Sequence, residues 1–138
     1  ESRKKDYPHV ENASFEDLIS KSDIISFHCK APKDGKPMIS KEHYKKMKPT
    51  AYIINAARGN IVDEKDLHEA LNENLIAGAA VDVFSKEPAK ENILFNNPKV
   101  VLTPHIAAST TEASIVVAEM VANQLSDFLL KGVKINTV

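Results

Sequence analysis

Short apolar runs alternating with capped helical segments predict an α/β domain: a partial doubly wound parallel sheet with flanking helices and a long C-terminal helix. Three observations carry this. Four runs, DIISF, AYIIN, IAGAAVDVF and KVVLT, have the length and composition of buried strands, expected over 23–27, 51–55, 76–84 and 99–102. The segments between them open with residues that start helices. After the last run, apolar residues recur at helical spacing until a glycine stops them.

In chain order, Ser14 stands at an N-cap position with the acid Asp17 three residues on, so a short helix starts there and DIISFH follows as a strand. Ser40 caps KEHYKKM, which Pro49 ends, and AYIIN is the next strand. Asp63 caps EKDLHEALNEN, whose Leu67, Ala70 and Leu71 share a helical face, before IAGAAVDVF. Beyond Asn97-Pro98, KVVLT makes the last strand and STTEASIVVAEMVANQLSDFLLKG a long helix closed by Gly132. Such alternation implies a parallel sheet covered on both faces. Along the last helix Ile115, Ala118, Val121, Ala122, Leu125, Phe128 and Leu129 form an apolar stripe, widened by Val116 and Val117. That stripe is core in character and broader than a half-sheet covers, which points to a contact with another part of a longer chain or a second subunit.

The 138 residues and 43% hydrophobic content suit one compact domain. A net charge of -1 leaves no basic field for nucleic acid or an anionic membrane, so small, locally recognised ligands are expected. Cys29 is the single cysteine, no secretory leader is apparent and no uninterrupted apolar run approaches ~18 residues, which together predict a cytoplasmic protein. The opening ESRKKDYPHV has no initiator methionine, and a piece of a longer chain is expected.

In open parallel sheets, ligands bind beyond the carboxyl ends of the strands. Three of the predicted strands run out into Asn55-Ala56-Ala57-Arg58-Gly59, Ser85-Lys86-Glu87-Pro88 and Thr103-Pro104-His105. A cation, a carboxylate and an imidazole thus share one edge. Arg58 offers a planar fork for a carboxylate or carbonyl, and Gly59 lets the backbone turn sharply beside a ligand. Glu87 can hold one nitrogen of His105 while the other exchanges a proton with a substrate hydroxyl. Singly, each is what a surface loop carries; their joint placement favours a site. His28 also ends a strand and serves equally as a cofactor-edge or a structural residue. His9, His43 and His68 read as loop or helix-surface residues. No metal site is expected, since no histidines or acids stand at ligand spacing.

NAARGNIVDEKDLHEAL, GAAVDVFSKEP and VVLTPHIAAST together resemble the cofactor domain of the D-isomer-specific 2-hydroxyacid dehydrogenases, over about residues 23–131. NPKVVLTPHIAASTTEA with the tail LLKGVKINTV is most similar to the family's D-3-phosphoglycerate dehydrogenase branch. The resemblance implies a Rossmann-like fold, NAD as cofactor, a small 2-hydroxy acid as substrate and a homo-oligomer in the full-length protein. It implies that residues 1–108 are the C-terminal part of an NAD-binding domain and 109–138 a helix and tail returning to a separate substrate domain, the whole being a fragment of a two-domain enzyme that is inactive alone. It assigns Arg58 to the substrate carboxylate, His105 to the hydroxyl proton and Glu87 to His105. Asp82 would receive the nicotinamide carboxamide, with backbone at Ala56 and Ala107 nearby; His28, Arg58 and His105 border the cofactor as well.

The sequence departs from the family pattern in four respects. It has no G-x-G-x-x-G, and the family's ribose-binding acid would fall immediately before Glu1. Lys30 and Pro32 stand where a proline and a threonine are usual, and Ala107 and Ala108 replace the commoner glycines. A dinucleotide-sensing corepressor on the same fold is the rival from another class.

Overall fold

The computed structural model describes residues 9–135, so the opening eight residues and the last three of the tail lie outside the described residues. The chain divides into two compact units, 1–104 and 105–138.

In the first unit, helix α1 (Phe15–Lys21) precedes strand β1 (Ile24–Phe27), helix α2 (Lys41–Tyr44) precedes β2 (Tyr52–Asn55), and helix α3 (Glu64–Asn72) precedes β3 (Gly78–Val81) and β4 (Val100–Leu102). All neighbouring pairs are parallel, in the order β1-β2-β3-β4. The expected parallel α/β architecture is thus what the residues form. Ser14 caps α1 by accepting the Asp17 N–H, and Asp63 caps α3 by accepting the Asp66 N–H. Each satisfies a donor that the helix start leaves without an internal partner.

Three details differ from expectation. Helix α2 is one turn, after which Lys46 and Met47 bond back three residues instead of four. The tighter winding brings Tyr44 and Met47, three apart, into the core together. Strand β3 is shorter than the apolar run 76–84. The strand ends at Val81; the Asp82 N–H makes the last bond to β2, the Phe84 N–H turns instead to the Glu87 side chain, and Asp82, Val83 and Phe84 are buried as loop.

The third difference is cover. Ile25, Phe27, Ile53, Asn55, Ala79 and Val81 are buried, but the alternate residues Ile24, Tyr52, Ile54 and Val101 are 36–66% exposed. The strands advance across the sheet in sequence order, and crossovers of one hand then put every connecting segment on one face. Cover on both faces is therefore met on one face only. On the open face the Tyr52 ring lies across Gly78, where an added Cβ would come within 2.9 Å of it.

Core burial centres on Ile53, Leu67, Leu71, Ile76 and Leu94, all at 0–1% exposure and each worth roughly 1.5–3 kcal/mol. Helices α2 and α3 are tied by the Lys41 N–H to Asp66 and by the Lys41 ammonium to Glu69 and Glu73. The hydrogen bonds it donates to Glu73 and then Glu69 hold that ammonium protonated well above the ordinary lysine range. Burial pushes the Tyr44 hydroxyl far above its usual value.

The second unit is helix α4 (Thr111–Lys131), capped by Thr110 and closed by Gly132 in the left-handed region at φ 65°. None of its residues is buried, and Leu129 and Leu130 are 75% and 80% exposed. By length and composition alone α4 could cross a membrane. Glu119 and Asp127 lie within it, however, and a charge near a bilayer centre costs about 2.5–3.5 kcal/mol.

Candidate active site

The register of the sheet levels its carboxyl edge. Phe27, Asn55, Val81 and Leu102 are successive partners across the four strands. The residues that follow them, His28, Ala56, Asp82 and Thr103, therefore leave the sheet along one line.

At the end of β2 the loop is built by Asn55, which is 1% exposed. Its side-chain oxygen accepts the Ala57 N–H at 3.2 Å and its amide donates to the Arg58 carbonyl at 2.9 Å. Thus pinned, the chain leaves Arg58 extended, at φ -149° and ψ 141°, and enters a 3-10 turn over Gly59–Ile61. The Arg58 guanidinium is exposed and donates one hydrogen bond, to the Ala57 carbonyl at 2.6 Å. Among the described residues no carboxylate pairs with it, so the fork keeps donors for an incoming anion.

Gly59 serves a different purpose from the sharp turn expected of it. Its φ is not in the left-handed region; instead, an added Cβ would run into the Phe84 carbonyl and lie 2.5 Å from the Ser85 nitrogen. The two strand-end loops pack backbone to backbone there.

At the end of β3, Asp82 is 6% exposed and its N–H continues the ladder to the Asn55 carbonyl. Its carboxylate accepts the Thr103 hydroxyl, joining the ends of β3 and β4. The loop that follows is folded on itself: the Phe84 N–H donates to Glu87 Oε1 at 2.9 Å, and Phe84 packs edge to face on Phe95. Glu87 is an exposed residue. At the end of β1, the His28 ring bonds the Ser26 hydroxyl through Nε2 at 2.8 Å.

His105 opens the second unit. It is exposed and holds φ 56°, a region that costs a residue with a Cβ about 1–2 kcal/mol. Ala107 follows within a turn closed by the Ser109 N–H on the Ile106 carbonyl, ahead of the Thr110 cap.

Residues 1–107 match the family described as D-isomer specific 2-hydroxyacid dehydrogenase, NAD binding domain. The chain belongs to that family. As a member of the dehydrogenase family, it has curated relatives that include a glyoxylate reductase of Thermofilum pendens, 46% identical over 128 residues, which span 91% of this chain and 37% of that protein. Another is a D-3-phosphoglycerate dehydrogenase of Bacillus subtilis, 42% identical over 86% of this chain and 23% of that protein. Among solved structures, a D-lactate dehydrogenase with NAD+ from Lactobacillus jensenii superposes with a TM-score of 0.81 at 30% identity, covering 97% of this chain and 44% of that one. The chain thus spans less than half the length of each. The cofactor of the family is NAD.

The chemistry at the edge fits this dehydrogenase cofactor. A buried carboxylate, an acceptor only, at the end of β3 suits the amide donors of a nicotinamide carboxamide. Besides Asn55 and Thr103, Glu64 shapes this edge, accepting hydrogen bonds from Ser85 and Asn92. A polar residue closing an apolar run was the available signal for Asn55. Thr103 and Glu64 act only through contacts distant in sequence.

Proposed function

We propose that the chain forms the nicotinamide side of an NAD-dependent oxidoreductase that moves a hydride between nicotinamide and a D-2-hydroxy acid. One observation carries the reading: the four strands end level, and His28, Ala56, Asp82 and Thr103 follow them in a line with Arg58 just beyond. Arg58 takes the substrate carboxylate in its fork. In oxidation a ring nitrogen of His105 accepts the proton of the 2-hydroxyl, and the Glu87 carboxylate holds the other ring nitrogen, favouring the imidazolium that forms. Asp82 accepts from the carboxamide, the backbone at Ala56 and Ala107 borders it, and His28 and Arg58 stand at the cofactor's edge. NAD, when bound, supplies the hydride acceptor. A 2-oxo acid leaves, and in reduction His105 returns the proton.

The substrate we favour is 3-phosphoglycerate, oxidised to 3-phosphohydroxypyruvate on the way to serine, because the stretch around His105 resembles that branch and relatives of that name reach 42–46% identity. A glyoxylate or hydroxypyruvate reductase is the second reading, favoured by relatives of that name at 44–46% identity. Measuring kcat/KM of the full-length protein on the two substrate classes separates them. The same reading makes the protein a soluble, cytoplasmic homo-oligomer, a dimer or tetramer, which light scattering tests.

Two results are expected. Arg58→Lys raises KM roughly 10–100-fold, the worth of about 1.5–3 kcal/mol in a charge-assisted pair that an ammonium cannot make bidentate; steady-state kinetics with unchanged KM removes the anchor. The 138-residue chain alone binds NAD at millimolar strength or weaker and turns over nothing, because pyrophosphate recognition in this fold comes from a glycine-rich turn that the 138 residues do not contain. Micromolar binding in calorimetry would contradict it.

A further inference from the structure

Glu64 stands at the first position of α3, six residues after Arg58, and its carboxylate is spent entirely on the other strand-end loop. Oε1 accepts the Ser85 N–H at 2.7 Å, while Oε2 accepts the Ser85 hydroxyl at 3.0 Å and the Asn92 amide at 2.9 Å. The far side of Asn92 is used as well, its oxygen accepting the N–H of Leu94, which is 0% exposed in the core. Ser85 and Asn92 bracket the loop that contains Glu87. One carboxylate therefore closes both ends of that loop, and Gly59, on Glu64's own segment, packs on the Phe84–Ser85 peptide at its start. Inside the bracket the Phe84 N–H fixes Glu87 Oε1.

From this geometry we infer that Glu64 is a positioning residue, which fixes the place of the Glu87 carboxylate by clamping the 85–92 loop to the segment that carries Arg58. The inference rests on the proposed function, in which Glu87 supports His105. A carboxylate is the group the clamp needs. It accepts three donors with two oxygens, whereas a glutamine would turn an NH2 toward one of those donors and a shorter aspartate would not reach. Glu64 also places a negative charge in the first turn of α3, where the helix N-terminus favours it. The groove along the loop is lined by Lys65, Lys86, Lys90 and Glu91 in addition to Glu64 and Glu87, so released loop ends would set Glu87 among competing lysines.

The test is steady-state kinetics across pH, in the oxidative direction with NAD and a D-2-hydroxy acid, on full-length Glu64→Gln, Glu87→Gln and the double variant. We expect Glu64→Gln to lower kcat about 10-fold with KM for NAD unchanged and to move the acid limb of the profile in the same direction as Glu87→Gln. The double variant should be no slower than Glu87→Gln alone, the non-additivity of two groups acting as one. Ser85→Ala, which removes a single bond to Glu64, should move kcat and the profile the same way by a smaller amount, and it decides the matter if Glu64→Gln does not fold. An impaired Glu87→Gln beside a Glu64→Gln with the wild-type pH profile, or effects of the two that simply multiply, overturns the clamp and leaves the function standing. A Glu87→Gln protein with wild-type kinetics overturns the functional reading and the clamp with it.

Discussion

Replacing His105 by alanine in the full-length protein is expected to lower kcat by about 10²–10⁴-fold, the usual worth of a positioned proton acceptor, while leaving stability nearly unchanged. The two halves of that expectation have separate origins. The catalytic half follows from an exposed imidazole three residues past the end of β4, on the chain that leaves the level edge of the sheet. The stability half follows from its backbone at φ 56°: histidine and alanine both carry a Cβ, so the conformational cost is the same before and after. His105→Gly relieves that cost and offsets it with unfolded-chain entropy, so its melting temperature is unchanged or slightly higher although turnover is lost. Glu87→Gln has a smaller effect on kcat. It shifts the acid limb of the oxidative profile to lower pH, because removing an ionised partner makes the imidazolium easier to deprotonate. Steady-state kinetics across pH on folded variants is the measurement. A His105→Ala protein with near-normal kcat and the same pH dependence returns this histidine to the role of a turn residue.

Gly59→Ala is expected to reduce kcat/KM by roughly 10²-fold, the loss that a shift of about 1 Å in catalytic groups produces. The added methyl has nowhere to go. It meets the Phe84 carbonyl and the Ser85 nitrogen, backbone atoms held from behind by the Phe84–Phe95 contact and by Glu64. The segment after Arg58 must therefore move away from the loop of Glu87, separating the two residues to which the proposed function assigns substrate binding and support of the proton acceptor. Overpacking of this kind also costs about 1–3 kcal/mol of stability, and denaturant unfolding of the same variant measures it. Wild-type kcat/KM in Gly59→Ala would mean that the two loops need not touch for turnover.

Much of this arrangement is legible in residue order. β-Branched runs such as AYIIN form strands, and Ser14, Asp63 and Thr110 start helices by bonds within one turn. Reading where the apolar runs stop is enough to place Arg58 and Glu87 in loops after β2 and β3, whereas Asp82 lies inside the apolar run and is singled out only by the family resemblance. What escaped depends on distance along the chain. The end of β3 cannot be read from an apolar run, since Val83 and Phe84 are as buried as the strand although the Phe84 N–H turns to the Glu87 side chain. Glu64 reads as an ordinary first-turn acid of α3, and its partners lie 21 and 28 residues away. Gly59 reads as a turn glycine beside a ligand, whereas its missing side chain makes room for the protein's own Phe84–Ser85 peptide, a contact 25 residues away that residue order does not reveal.

The bare sheet face has a consequence for what stability means here. Ile24, Tyr52, Ile54 and Val101 present apolar area to water beside a core that is otherwise closed. Any surface that seats on them binds the folded sheet and not the unfolded chain, and so adds to its stability in proportion to RT ln(1 + [L]/Kd). The melting temperature of these residues is then a mass-action quantity, rising with the local concentration of whatever occupies that face. A substitution such as Ile54→Lys would leave the buried side untouched and still lower it, by dismissing the neighbour.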